Sequence, residues 1–248
     1  MIKSQSYPFR VVFLHGLFGS QKEFLWYKQN VKGATDAFLY ELPNHGKRTE
    51  EAPFSLRFLL SDLETQLKNA GIERPLFVGH SLGGKLALHY ASKHLKEVAG
   101  VCMLDIFPCR TINMEQFQAE LPALLQELQA SPHPEATAAQ WTSDYGRYLH
   151  KYLKLRGGII TPATCQAFID FITKELHFLN RPSRFSKPLM FIQDSTLPFT
   201  EDIHIALLEI LHPRQAVIPI ADAGHMLHIT RRQEVGKHIA RFIKRCSK

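Results

Sequence analysis

The amino-acid sequence predicts an α/β domain with a mostly parallel central sheet, helices on both faces and an inserted helical cap. Three observations carry that expectation. Short apolar, β-branched runs alternate with helix-spaced apolar residues along most of the chain, which is the pattern of a layered sheet. The alternation lapses once, between 109 and 187, where helical patterns follow one another without a strand. Finally, the run Leu76-Phe77-Val78 passes directly into Gly79-His80-Ser81-Leu82-Gly83 and a helical pattern, giving a strand, a sharp turn and a helix in immediate succession.

Taken in order, Val11-Val12-Phe13-Leu14 reads as a short strand ending at His15-Gly16, and residues 37–42 as a second strand stopped by Pro43. Ser55 is placed to cap a helix running to about residue 69, with Leu59, Leu60, Leu63 and Leu67 at helical spacing. A strand at 76–79 and a helix over about 82–94 follow. The next strand, 100–104, ends at Asp105-Ile106-Phe107-Pro108. Helical stretches near 114–129, 136–156 and 162–176 fill the interruption. Strands resume at 188–192 and 215–220, and a last helix spans about 233–244. No repeat or low-complexity linker divides the chain, so 1–108 and 188–248 are expected to form one core, with 109–187 as a cap inserted in it.

Composition narrows the function classes. Hydrophobic residues at 45% and charged residues at 21% are ordinary for a globular enzyme, and no apolar run reaches membrane-spanning length, so stable membrane insertion is not expected. The first residues lack a signal-peptide core. Cys102, Cys109, Cys165 and Cys246 lie far apart, with neither a C-x-x-C pair nor a metal-like spacing. A reduced, cytoplasmic setting without a metal or other cofactor is therefore expected. The net charge of +7 fits either an anionic partner or a solvated basic surface. The densest basic run, 237–245, alternates with apolar residues like the exposed edge of a terminal helix, and no nucleic-acid motif accompanies it. Nucleic-acid binding is not expected, and the oligomeric state is not readable.

The chemistry centres on Ser81. A G-x-S-x-G string occurs by chance in many chains, but between a strand and a helix it is the nucleophile elbow. The turn lifts the hydroxyl clear of the sheet, and the flanking glycines fit where a Cβ would crowd it. Three residues of matching chemistry fall at or just after strand ends: Ser81, Asp105 and, in Ala223-Gly224-His225, His225. In open α/β sheets such ends gather at one edge, so the three can converge. A serine hydroxyl is a weak nucleophile until a base takes its proton; histidine suits that task near neutral pH, and a carboxylate would hold its tautomer. The Leu82 N–H at the helix start and the Leu17 N–H in His15-Gly16-Leu17-Phe18-Gly19 are the expected oxyanion donors.

Competing readings sit beside each residue. Ser81 could be a mere helix cap, and His228 rivals His225 three residues later. His15 is expected to bond loop backbone, His45 in Asn44-His45-Gly46 to form a turn, and His80 to point into the packing around the elbow. For the acid, Asp194 ends its own strand and competes with Asp105.

His15-Gly16-Leu17-Phe18-Gly19-Ser20, Asn44-His45-Gly46, Gly79-His80-Ser81-Leu82-Gly83-Gly84-Lys85, Asp105-Ile106-Phe107-Pro108 and Ala223-Gly224-His225-Met226-Leu227-His228 together resemble the YbfF-type bacterial esterases of the α/β-hydrolase superfamily. The blocks span nearly the whole core in order; the insert carries no such likeness. The triad order serine, acid, histidine is that of the superfamily. The resemblance implies a serine ester or thioester hydrolase acting on a small-molecule substrate, including acyl-CoA thioesters. It also implies an acid 24 residues beyond the serine, which is where Asp105 stands. One departure is Glu41-Leu42-Pro43, where that group tends to have Asp-x-Arg.

Two alternatives remain at this level. The loops at 14–20 and 42–46 are also similar to the menaquinone-pathway lyase of this fold, which would eliminate from an anionic succinyl-cyclohexene substrate held by cap arginines such as Arg147, Arg156, Arg181 and Arg184. Its acid follows the later strand. A non-catalytic ligand-binding member of the fold is the other; such proteins usually lose a triad residue, and none is missing here. Phe117, Leu121, Leu125, Phe168 and Phe171 form apolar cap faces that pack first and could line an acyl pocket second.

Overall fold

The structure is a computed structural model and describes residues 7–49, 51–106, 114–155, 160–176, 185–195 and 215–248. Its frame is a six-stranded sheet of order β2-β1-β3-β4-β5-β6, with every neighbouring pair parallel. The strands are β1 (Arg10–Leu14), β2 (Phe38–Tyr40), β3 (Pro75–His80), β4 (Gly100–Leu104), β5 (Leu189–Asp194) and β6 (Gln215–Ile220). Strands β3, β4 and β5 are buried at every position, as expected of strands covered on both faces, whereas β2 and β6 are partly exposed edges. Pro219 sits in β6, an edge strand that tolerates its missing donor.

Alternate side chains feed two cores. Val12, Leu14, Phe77, Val101 and Met103 face one; Val11, Phe13, Leu76, Val78, Cys102 and Leu104 face the other. Against the first lies helix α2 (Leu56–Asn69), which buries Leu59, Leu63 and Leu67 and is capped by the Ser55 hydroxyl accepting the Phe58 N–H at 3.2 Å. Helix α3 (Leu82–Lys93) joins it there. The second core is closed by helix α1 (Leu25–Asn30) and by the C-terminal helix Arg232–Cys246, whose Val235, Ile239, Phe242 and Ile243 are buried while its basic residues face outward.

Between β4 and β5 the described residues hold four helices and no strand: α4 (Met114–Ala130), α5 (Pro134–Ala138), α6 (Asp144–Leu155) and α7 (Pro162–Asp170), the last continuing as a π-helical turn, Phe171–Glu175. The helix expected over 136–156 is in fact two. The chain breaks after Ala138, and the Ser143 hydroxyl accepts the Gly146 N–H at 3.1 Å, restarting the helix. A 3-10 turn at Gln21–Phe24, helix α1 and the short helix Leu227–Thr230 were not expected from the sequence. Among the described residues, no helix is long and apolar enough to cross a membrane.

The order of strands reverses direction between β1 and β3, the switch point at which open parallel sheets gather ligands beyond the carboxyl ends. The loop after β1 and the turn after β3 therefore meet there.

Candidate active site

Ser81 caps helix α3 at φ 48° and ψ −118°, a backbone setting that a side chain with a Cβ adopts only under strain of about 1–3 kcal/mol. Neighbouring bonds hold it. Its N–H donates to the Leu104 carbonyl at 3.1 Å, and its own carbonyl accepts the Gly84 and Lys85 N–H groups at 3.0 and 3.1 Å. Strand and helix approach so closely that a Cβ on Gly79 would lie 2.5 Å from the Gly83 backbone, and one on Gly83 2.5 Å from the Leu14 and His15 carbonyls. The glycines are thus required by contact.

Asp105 follows β4 directly, at φ 52° and only 1% exposed. Its Oδ2 accepts from His225 Nδ1 at 2.6 Å, and its Oδ1 accepts the Asp194 N–H at 3.0 Å. Its own N–H donates to the Ile192 carbonyl at 2.7 Å, so the acid is held by the neighbouring strand as well as by the histidine. His225 keeps its side chain 35% exposed, with Nδ1 turned to the carboxylate. The imidazole plane is thereby set.

The rivals occupy other places. Asp194 is buried at the end of β5, and its Oδ2 accepts the N–H of Gly224, the residue before His225. It steadies the histidine loop while its backbone steadies the acid. His228 is fully buried, with Nε2 3.3 Å from Glu23 Oε2 and its ring stacked on Phe24. His80, also buried, donates from Nε2 to the His225 carbonyl at 2.8 Å. Burial, followed by the charges of His228 and His225, holds its pKa well below the ordinary histidine value.

The loop after β1 lies against the elbow: a Cβ on Gly16 would be 3.2 Å from the Ser81 Cβ. Two buried histidines shape this loop. His15 Nδ1 donates to the Gly16 carbonyl at 2.8 Å, and its Nε2 lies 3.1 Å from both the Leu42 nitrogen and Glu41 Oε1. His45 donates from Nδ1 to the Pro43 carbonyl at 2.8 Å and accepts the Phe18 N–H on Nε2 at 2.9 Å. Phe18 takes a positive φ of 62° in the process. The Phe18 N–H is thus committed, whereas among the described residues no hydrogen bond uses the Leu17 N–H. Leu82 opens α3, where the first N–H groups lack intrahelical acceptors.

His45 is more than the turn former its Asn44-His45-Gly46 setting suggested. Its link to Phe18 crosses from the loop after β2 to the loop after β1, and the pairing of those two strands is the signal that could have exposed it.

Above these loops the insert packs through rings. Phe54 meets Phe168 at 4.7 Å and Phe171 at 5.1 Å, while Phe18 meets Tyr152 at 5.2 Å and Phe168 at 5.5 Å. Polar ties join the rings: Tyr152 donates to the Asn44 carbonyl, Glu175 accepts the Leu56 N–H at 2.6 Å, and Lys151 Nζ lies 3.4 Å from Glu23 Oε1. Leu121, Leu125, Phe168 and Phe171 are buried. Arg147 donates to the Thr142 carbonyl. Cys109, Arg156, Arg181, Arg184 and the Phe117 side chain lie outside the described residues.

Comparison with known proteins agrees with this architecture. An sn-1-specific diacylglycerol lipase, ABHD11, of Danio rerio is 24% identical over 98% of this chain and 80% of its own length. Ethanol acetyltransferase 1 of Eremothecium cymbalariae is 26% identical over 59% of this chain and 41% of its own. Among solved structures, a marine microorganism esterase superposes with a TM-score of 0.76 at 20% identity, covering 97% of both chains. A mutant of a putative epoxide hydrolase from Pseudomonas aeruginosa gives 0.71 at 17% identity, covering 98% of this chain and 92% of its own. The family model described as "Alpha/beta hydrolase family" matches residues 11–237, and the chain belongs to that family.

Proposed function

We propose that the protein is a serine hydrolase cleaving carboxylic esters or thioesters of short to medium acyl chain, with Ser81 as nucleophile, His225 as general base and Asp105 as its orienting acid. The observation that carries the proposal is the 2.6 Å contact between His225 Nδ1 and the buried Asp105 carboxylate, beside a serine on a strained elbow. His225 takes the Ser81 proton as the oxygen attacks the substrate carbonyl. The resulting oxyanion is met by the Leu17 and Leu82 N–H groups, and the proton passes to the leaving alcohol or thiol. Water then repeats the sequence on the acyl-enzyme. The curated relatives include a lipase and an acyltransferase by name, which fits transfer of an acyl group.

The pairing of His225 with Asp105 rather than Asp194 favours this reading over the lyase, whose acid follows the later strand. A panel of p-nitrophenyl esters of rising chain length, run beside acyl-CoA thioesters and an anionic succinyl-cyclohexene substrate, tests it. Turnover should rise from acetyl towards butyryl or hexanoyl. Indifference to every ester and thioester, with consumption of the cyclohexene, would replace the hydrolase with the lyase.

A further inference from the structure

Beneath the candidate triad lies a cluster that ester hydrolysis leaves unused. Glu23, His80 and His228 each bring one ligand atom to within 4.8 Å of the others. They come from three distant stretches of chain, which is why the sequence showed no metal-like spacing. We propose that they form a binding site for one divalent transition-metal ion of the zinc class, a set of two imidazoles and one carboxylate that lies beside the catalytic machinery and is distinct from it.

Three features of the site support this. Both imidazoles are fully buried and each retains an Nδ1 without a hydrogen-bond partner among the described residues. Orphaned nitrogens in a protein interior call for an occupant, either an ion or a water. Second, the His80 Nε2–H is spent on the His225 carbonyl, so its Nδ1 is a bare lone pair with ring orientation already fixed. That arrangement, one nitrogen clamped by a carbonyl and the other free, is characteristic of a metal-ligating histidine. Third, residues 16 and 19 are glycines: a Cβ on Gly16 would lie 2.8 Å from His80 Nδ1, and one on Gly19 2.9 Å from Glu23 Oε2. The space beside two of the three donors is left clear.

Nitrogen and carboxylate donors in this number suit Zn²⁺ or Co²⁺ rather than Ca²⁺ or Mg²⁺, which prefer oxygen throughout. His228 already places Nε2 on Glu23; whichever of its nitrogens takes the ion, the other carries the proton. An ion held here would tie the elbow strand, the segment after the β1 loop and the segment after His225 to one point. The proposal does not depend on the ester-hydrolase reading, because it rests on other donors.

The experiment is calorimetric titration of chelator-treated full-length protein with Zn²⁺, with thermal melting and the visible spectrum of the Co²⁺ form. The proposal expects one ion per chain, a higher Tm and Co²⁺ bands of low-symmetry nitrogen and oxygen ligation. Glu23→Gln and His228→Gln should each weaken binding by more than the roughly 10–100-fold that outer-shell changes cost, whereas His225→Ala should leave binding intact. Should the variants fail to fold, the imidazole ¹⁵N resonances of the parent decide, since His80 and His228 must shift on adding Zn²⁺. No binding to the parent would overturn the site and assign the orphaned nitrogens to a buried water. Binding lost in His225→Ala but kept in Glu23→Gln would overturn it by moving the ion to the triad.

Discussion

The floor and the roof of the candidate site are held by different kinds of interaction. On the floor, Ser81 and Asp105 sit at positive φ and are pinned by backbone bonds to the neighbouring strands, while glycines stand where a Cβ would come within 2.5 Å of the facing backbone. On the roof, helices α6 and α7 and the π-helical turn meet the core through aromatic rings and side-chain ties. Backbone contacts fix geometry for one chemistry and tolerate no substitution. Ring packing fixes volume, and volume can be retuned. The floor should therefore govern whether the reaction occurs, and the roof which acyl group is accepted.

The sharpest way to break that contrast is to neutralise the two carboxylates of the floor in turn. Asp105→Asn should lower kcat on the order of 10³–10⁴-fold, because the amide no longer holds the His225 tautomer. Asp194→Asn should be much milder: it disturbs the Gly224 anchor but leaves the 2.6 Å pair in place. Steady-state kinetics on a p-nitrophenyl ester reads both. A reversed ranking would move the acid to β5.

One step weaker is the oxyanion loop. His45→Phe keeps an aromatic ring but frees the Phe18 N–H and loosens Leu17. Its kcat should fall, by less than the roughly 10²–10³-fold lost with a whole oxyanion donor, with KM little changed. A KM effect without a kcat effect would make His45 part of the roof.

Roof changes should act on stability and selectivity. Phe168→Ala removes the ring shared by Phe18, His45 and Phe54 and should destabilise the fold by about 3–5 kcal/mol. The optimum acyl length should shift upward while acetyl ester turnover changes little. If acetyl turnover instead collapsed, the roof would be shaping the floor.

The smallest effect concerns the basic surface. Rising salt should depress kcat/KM for an anionic acyl-CoA and leave that for a neutral p-nitrophenyl ester unchanged, because ions screen only charged ligands. Equal responses would assign the +7 charge to solvation alone.

The same contrast explains how much was legible in the sequence. Strands β3 and β4 and the elbow were readable because burial on both faces writes continuous apolar runs, and the tight turn demands glycine at fixed places. Asp105 was separable from Asp194 only by its 24-residue spacing in a family likeness; the bond from the Asp194 backbone to Asp105 is a tertiary fact. The insert was readable as helical but not in its breaks, since the apolar rhythm runs through Thr142-Ser143 where a serine cap restarts the helix. Helix α1 was missed because six residues are too few to show a period. The service of His45 to the β1 loop and the grouping of Glu23 with His80 and His228 join residues far apart in the chain, which no local pattern records.

The central claim is that Ser81 becomes acylated with help from His225 and Asp105. Intact-protein mass spectrometry after a serine-directed fluorophosphonate tests it most directly, followed by peptide mapping and by the same treatment of Ser81→Ala. The account predicts one adduct per chain, located on the peptide bearing Ser81, and a Ser81→Ala protein that melts like the parent, takes no label and shows no ester turnover. An adduct on another residue, or turnover persisting in Ser81→Ala, would contradict it.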